Sequence, residues 1–199
     1  LRSSDDHVPP VMERLSCLQS IHRVEESPYP HVFTDAALPE TIYAELEASF
    51  PEAQILDRVQ QMDGCSPTRR LKTPEALAWS DLPPIWEDFL RFHTSADYLQ
   101  AVVRLFEPQL LRCLGSSRLQ RLLTGSVAPR RMGGPSNLVT DCQFVLNDPI
   151  GGASTNQPPH VDNPKEIYAG LLYMRSALDQ TSGGEFTLHR LDQPIRRLD

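Results

Sequence analysis

The spacing of apolar residues changes partway along this chain, and that change limits the fold more than any single motif does. Ile42, Leu46 and Phe50 recur at the three-to-four-residue interval of a helix. So do Ile85, Phe89 and Phe92, and after them Tyr98, Leu99, Val102, Val103 and Phe106. Beyond Gly133-Gly134-Pro135 the apolar residues come in short, nearly continuous runs, at 138–146, at 167–174, and at 185–189 after the Gly183-Gly184 turn. Helices first and antiparallel strands afterwards predict an α+β fold in which helices buttress a sheet.

Punctuation residues sharpen the helical half. Leu38-Pro39-Glu40 opens a helix with proline in its first turn, and Pro51 stops it. Ser95 is a candidate N-cap, Pro108 should divide the next helical stretch, and Gly115 can close it. Residues 31–33 read as a short strand. Residues 52–82 lack periodicity and hold Gly64, Pro67 and Pro74, so a long loop is predicted there. Residues 1–27 read as a polar, then mildly amphipathic, lead-in. No internal repeat is present.

Charge narrows the function classes. A formal net charge of -7 argues against a nucleic-acid surface, because neutralising phosphates requires clustered cations. The basic pairs Arg69-Arg70, Arg130-Arg131 and Arg196-Arg197 are short and are expected to be solvated. Cys17, Cys65, Cys113 and Cys142 are far apart with no C-x-x-C pair, which predicts reduced thiols in a cytoplasmic protein. No run approaches the roughly 18 apolar residues of a membrane span, and no leader is evident. The expectation is therefore neither a nucleic-acid nor a membrane partner.

The segment that carries chemistry is Gln157-Pro158-Pro159-His160-Val161-Asp162-Asn163-Pro164. Side chains two apart on an extended chain point the same way, so His160 and Asp162 would project together while Val161 turns into the packing. An imidazole and a carboxylate on one face supply two legs of the 2-His-1-carboxylate triad that holds iron and leaves positions open. The flanking prolines limit the entropy lost in fixing the pair. H-x-D alone is a weak signal, and its plainer reading is a hydrogen-bonded surface pair.

Its surroundings make it more specific. The arrangement Thr140-Asp141-Cys142-Gln143-Phe144-Val145-Leu146-Asn147, then Pro159-His160-Val161-Asp162-Asn163-Pro164, then Tyr168-Ala169-Gly170-Leu171-Leu172-Tyr173-Met174-Arg175, then Gly183-Gly184-Glu185-Phe186 resembles the Fe(II)/2-oxoglutarate-dependent dioxygenases. Within that superfamily it is most similar to the prolyl-hydroxylase-like branch. Ser27-Pro28-Tyr29-Pro30-His31-Val32-Phe33, running into the Leu38-Pro39 helix and ending Phe50-Pro51, resembles the N-terminal elements of bacterial members. The resemblance covers residues 27–50 and 137–190 and is weak between them.

It implies a double-stranded β-helix, a cupin-like jelly-roll, with the metal in its mouth. The plan is then one domain over 1–199. Residues 1–136 form a mainly helical part with a short strand, and 137–199 the first half of the β-helix core. The resemblance implies His160 and Asp162 as ligands of Fe(II). Gln143 and Tyr173 become candidates to hydrogen-bond the 2-oxoglutarate, with a strand-edge amide and a core tyrosine as their plain readings. It implies an oxygenase that hydroxylates an unactivated C–H bond of an amino-acid or peptide side chain or of a small molecule. Halogenating relatives lack the carboxylate, so Asp162 favours hydroxylation.

The sequence also departs from the pattern. The family's second histidine lies on a late strand, with an Arg or Lys beyond it; here His189 is the only histidine after Asp162 and follows Gly183-Gly184 too closely. Three expectations compete: a portion of a longer enzyme, a shortened pseudoenzyme, or His189 as an unconventional third ligand. About half the strands of a barrel are legible, which leaves an edge to cover, with a homodimer as one way to cover it. The alternatives from other classes are a non-catalytic β-helix module that binds a ligand and another cupin-type metalloenzyme.

Overall fold

The computed structural model describes residues 14–60, 68–125, 127–129, 138–147, 160, 166–175, 180, 182 and 186–190. It is a mixed α+β arrangement. Helix α1 (Glu40–Ala48) follows Pro39 as the sequence predicts and buries Ile42 and Leu46. After α2 (Ala53–Gln60) come β1 (Thr68–Lys72) and the short α3 (Thr73–Leu77), which has proline in its first turn. Helix α4 (Pro84–His93) buries Trp86, Phe89 and Leu90, three positions on one face of a 3.6-residue repeat. In α5 (Ala96–Leu105) the Ser95 hydroxyl accepts a hydrogen bond from the Tyr98 amide at 3.2 Å, satisfying one of the free N–H groups of the first turn. Pro108 does divide the following stretch, since α6 (Glu107–Leu114) starts beside it. Gly115 closes α6 at φ +74° and leads into α7 (Ser116–Thr124).

Two ladders pair the strands among the described residues. β2 (Val127–Pro129) runs parallel to β3 (Leu138–Thr140), and β4 (Gln143–Asn147) runs antiparallel to β1. Phe144 joins the β1–β4 ladder to the helices. Its ring stands edge-on to Trp86 at 4.7 Å and to Phe50 at 5.5 Å, and Trp86 meets Phe89 at 5.4 Å. Leu46, Leu56, Leu71 and Leu90 are buried in the same core. Each such side chain contributes about 1.5–3 kcal/mol on removal from water. Among the described residues, no helix is long and apolar enough to cross a membrane.

Four predictions need correction. Residues 52–82 are not one long loop, because they contain α2, β1 and α3. The run 138–146 is not one strand; it breaks at Asp141-Cys142, where the Thr73 hydroxyl bonds to both sides of the Cys142 backbone. That hydroxyl accepts from the Cys142 amide at 3.0 Å and donates to the Cys142 carbonyl. A side chain thus takes the two groups that a continuous ladder would have used. The strand at 31–33 reduces to an isolated bridge between Glu25 and His31. Residues 166–175 and 186–190 carry no strand ladder of their own, and no barrel closes among the described residues.

Candidate functional site

Strand β4 is built with two different faces. Phe144 is buried and Leu146 packs on the same core, so the side chains between and beyond them point the other way. The register confirms that alternation across the ladder. Leu71 lies opposite Phe144 on the helix side, whereas Lys72 lies opposite Gln143, Arg70 opposite Val145 and Thr68 opposite Asn147. The Thr68 hydroxyl donates to Asn147 Oδ1 at 2.9 Å, which ties that second face together. Gln143 therefore stands on the side of the sheet turned away from the helices, half-buried. A strand-edge amide among hydrophobic neighbours would need an internal partner; on this face it has polar company.

The segment 171–175 repeats the two-residue alternation without a ladder. Leu172 and Met174 pack against the helical core, while Leu171 and Tyr173 are 65% and 59% exposed. Tyr173 is thus not the core tyrosine of its plain reading. Its backbone run is anchored where the Arg175 amide donates to the Tyr43 hydroxyl at 3.3 Å. Phe186 is also well exposed at 59%. Both candidates for the cosubstrate, Gln143 and Tyr173, lie on chain faces directed away from the core.

His160 is exposed and lies in irregular chain. Asp162 lies outside the described residues, so the pair's mutual geometry does too. His189 is exposed. No group of three or more His, Cys, Asp or Glu side chains among the described residues is placed to hold a metal ion. By donor chemistry, His160 and Asp162 suit a ferrous ion as far as two ligands go.

Buried titratable groups gather elsewhere, where sequence reasoning had seen only packing stripes. His93 stacks on Phe89 at 3.9 Å and meets Tyr98 at 4.4 Å. Its Nδ1 bonds to the Phe89 carbonyl at 2.9 Å, and its buried Nε2 has no hydrogen-bond partner among the described residues. Burial lowers its pKa to about 4, so the ring is neutral with the proton on Nδ1. Burial pushes the Cys17 and Cys142 thiols up to about 12, which leaves them protonated and poor nucleophiles near neutral pH. Tyr98 and Tyr168 share a hydrogen bond, and burial raises both phenols. This cluster has no nucleophile ready for catalysis.

Arg70, which the sequence reads as half of a solvated basic pair, is exposed, and Lys72 is half-buried. Both fall in the stretch read as a loop, and the β1–β4 register sets Lys72 opposite Gln143 and Arg70 opposite Val145. No family model, curated protein or solved structure matches the chain.

Proposed function

We propose that the chain carries part of an Fe(II)- and 2-oxoglutarate-dependent dioxygenase site that hydroxylates an unactivated C–H bond. The fold in this reading is a double-stranded β-helix to which β4 contributes a core strand, with the extended segment 171–175 beside the helices that pack outside. The observation that carries it is two-faced construction. Phe144, Leu146, Leu172 and Met174 turn toward the helices, and Gln143 and Tyr173 turn away, toward what would be the barrel interior. The H-x-D spacing of His160 and Asp162 is the second support.

In this reading His160 and Asp162 hold the iron, which when bound supplies the oxidising power for C–H hydroxylation with 2-oxoglutarate as cosubstrate. The rest falls to side chains. Gln143 can donate through its amide N–H groups and Tyr173 through its hydroxyl, so both can fix a carboxylate or keto oxygen. The apolar Val145 and Leu171 on the same sides would limit water near the reacting carbon. The substrate is an amino-acid side chain or a small molecule.

The test is succinate formation from 2-oxoglutarate in the absence of added substrate, compared between the unmodified chain and Asp162→Ala. The reading expects the variant to lose that activity entirely. Undiminished succinate formation by Asp162→Ala would remove the carboxylate from the site.

A further inference from the structure

The segment 171–175 turns Leu172 and Met174 to the core and Leu171 and Tyr173 outward, yet its own sequence does not encode that choice. Leu171-Leu172-Tyr173-Met174 is apolar or aromatic at every position. A slip of one residue would bury Leu171 and Tyr173 and expose Leu172 and Met174, at similar apolar burial. Among the described residues no strand ladder pins the segment either. Two tyrosine hydroxyls from the helices hold it instead, one at each end. At the far end the Arg175 amide donates to the Tyr43 hydroxyl on α1 at 3.3 Å. At the near end Tyr168, half-buried, shares a hydrogen bond with Tyr98, which is buried on α5. Gly170 lets Tyr168 reach that partner. The Tyr168 ring folds back over Gly170, so a methyl group there would stand 2.5 Å from the phenol oxygen and 2.9 Å from Cζ. The ring can yield to such a group only by moving its hydroxyl away from Tyr98.

We propose that Tyr43, Tyr98, Tyr168 and Gly170 are positioning residues, which fix the register of 171–175 and so decide that Tyr173 faces outward. That Tyr173 meets the cosubstrate there rests on the oxygenase reading above; the register itself does not. A one-residue slip moves an extended chain by about 3.3 Å, which takes the Arg175 amide and the Tyr168 hydroxyl out of reach of both helical tyrosines. Each hydrogen bond is a modest contribution to stability. A modest contribution is enough to choose between two registers of similar burial, because both bonds exist in one register and neither in the other.

The test labels the full chain, without added iron, by dilute hydrogen peroxide at Met174 and by tetranitromethane at Tyr173, each read by peptide mass spectrometry. The Tyr43→Phe/Tyr98→Phe/Tyr168→Phe variant removes three hydroxyls and no ring, and removing both partners of a hydrogen bond together leaves the fold intact. Relative to the unmodified chain, oxidation of Met174 should rise about threefold as it loses cover, while nitration of Tyr173 falls. Gly170→Ala, which removes no hydroxyl, should produce the same pair of changes, and it decides the matter if the triple variant does not fold. Unchanged labelling would overturn the proposal. A rise at both positions would overturn it too, because that is loosening without a slip. A separate arm measures 2-oxoglutarate affinity in iron-treated protein. The triple variant should lose as much affinity as Tyr173→Phe does, and combining them should add nothing. Affinity lost in Tyr173→Phe but kept in the triple variant would overturn the positioning role. Absence of 2-oxoglutarate binding by the unmodified chain would end the oxygenase reading and leave the labelling result to decide the register.

Discussion

At the scale of single residues, His93 is where burial most clearly sets a proton equilibrium. Its folded-state pKa, about 4, lies below the ordinary value of 6.5, because burial disfavours the imidazolium. Between those two values the unfolded chain binds more protons than the folded one, so stability rises with pH. The contribution is complete above about pH 6.5, falls as pH drops through the window, and is gone below about pH 4, a change of roughly 3 kcal/mol. His93→Phe keeps a ring against Phe89 and Tyr98 and removes the titration. Urea midpoints between pH 7 and pH 4 should therefore fall less steeply for the variant; parallel curves would contradict this. Thr73 makes a different case. Thr73→Val keeps the shape but leaves the half-buried Cys142 amide and carbonyl without their hydroxyl partner. The expected cost is about 1–3 kcal/mol in denaturant unfolding, and a change within error would show that another group replaces the bond.

At the scale of elements, helices α1, α4 and α5 were legible, whereas α2, α3 and the two ladders were not. Helices α1, α4 and α5 announce themselves because their own residues create the apolar stripe and the cap: Ile42 and Leu46, Ser95 before Tyr98, and in α4 the stripe Ile85, Phe89 and Phe92, although the residues most buried there are Trp86, Phe89 and Leu90. Strand β1 reads Thr-Arg-Arg-Leu-Lys, with a single apolar residue, and owes its form to pairing with a strand far along the chain. The split of 138–146 depends on Thr73, equally remote in sequence. Of the candidate site, residue types and the two-residue alternation were visible, whereas the juxtaposition of Lys72 with Gln143 required the register. Two substitutions probe the elements. Gly115→Ala, at φ +74° with no atom within 4 Å of the added carbon, should cost about 1–2 kcal/mol from backbone alone, and Gly115→Asn less. Phe144→Ala should cost about 3–5 kcal/mol by emptying the junction of ladder and helices. Thermal unfolding checks both, and an unchanged midpoint for Phe144→Ala would mean the ladder is not part of the cooperative core.

At the scale of the molecule, a helical layer and its core tie down one side of the described strands and leave the other polar or exposed. The lead-in is fastened to the helices as well, through Glu26, whose carboxylate accepts from Arg112 at 2.8 Å and from Gln109 at 2.9 Å. Those two donors hold the Glu26 carboxyl below its usual range. In the oxygenase reading, the iron is held by His160 and Asp162, and the untied side offers Gln143 and Tyr173 to the cosubstrate. The most direct measurement is an anaerobic titration of the protein with Fe(II) and 2-oxoglutarate, followed in the visible spectrum. The account expects a weak metal-to-ligand charge-transfer band that requires both additions and is missing in His160→Ala. No band with the unmodified chain, or an equal band with His160→Ala, would contradict it.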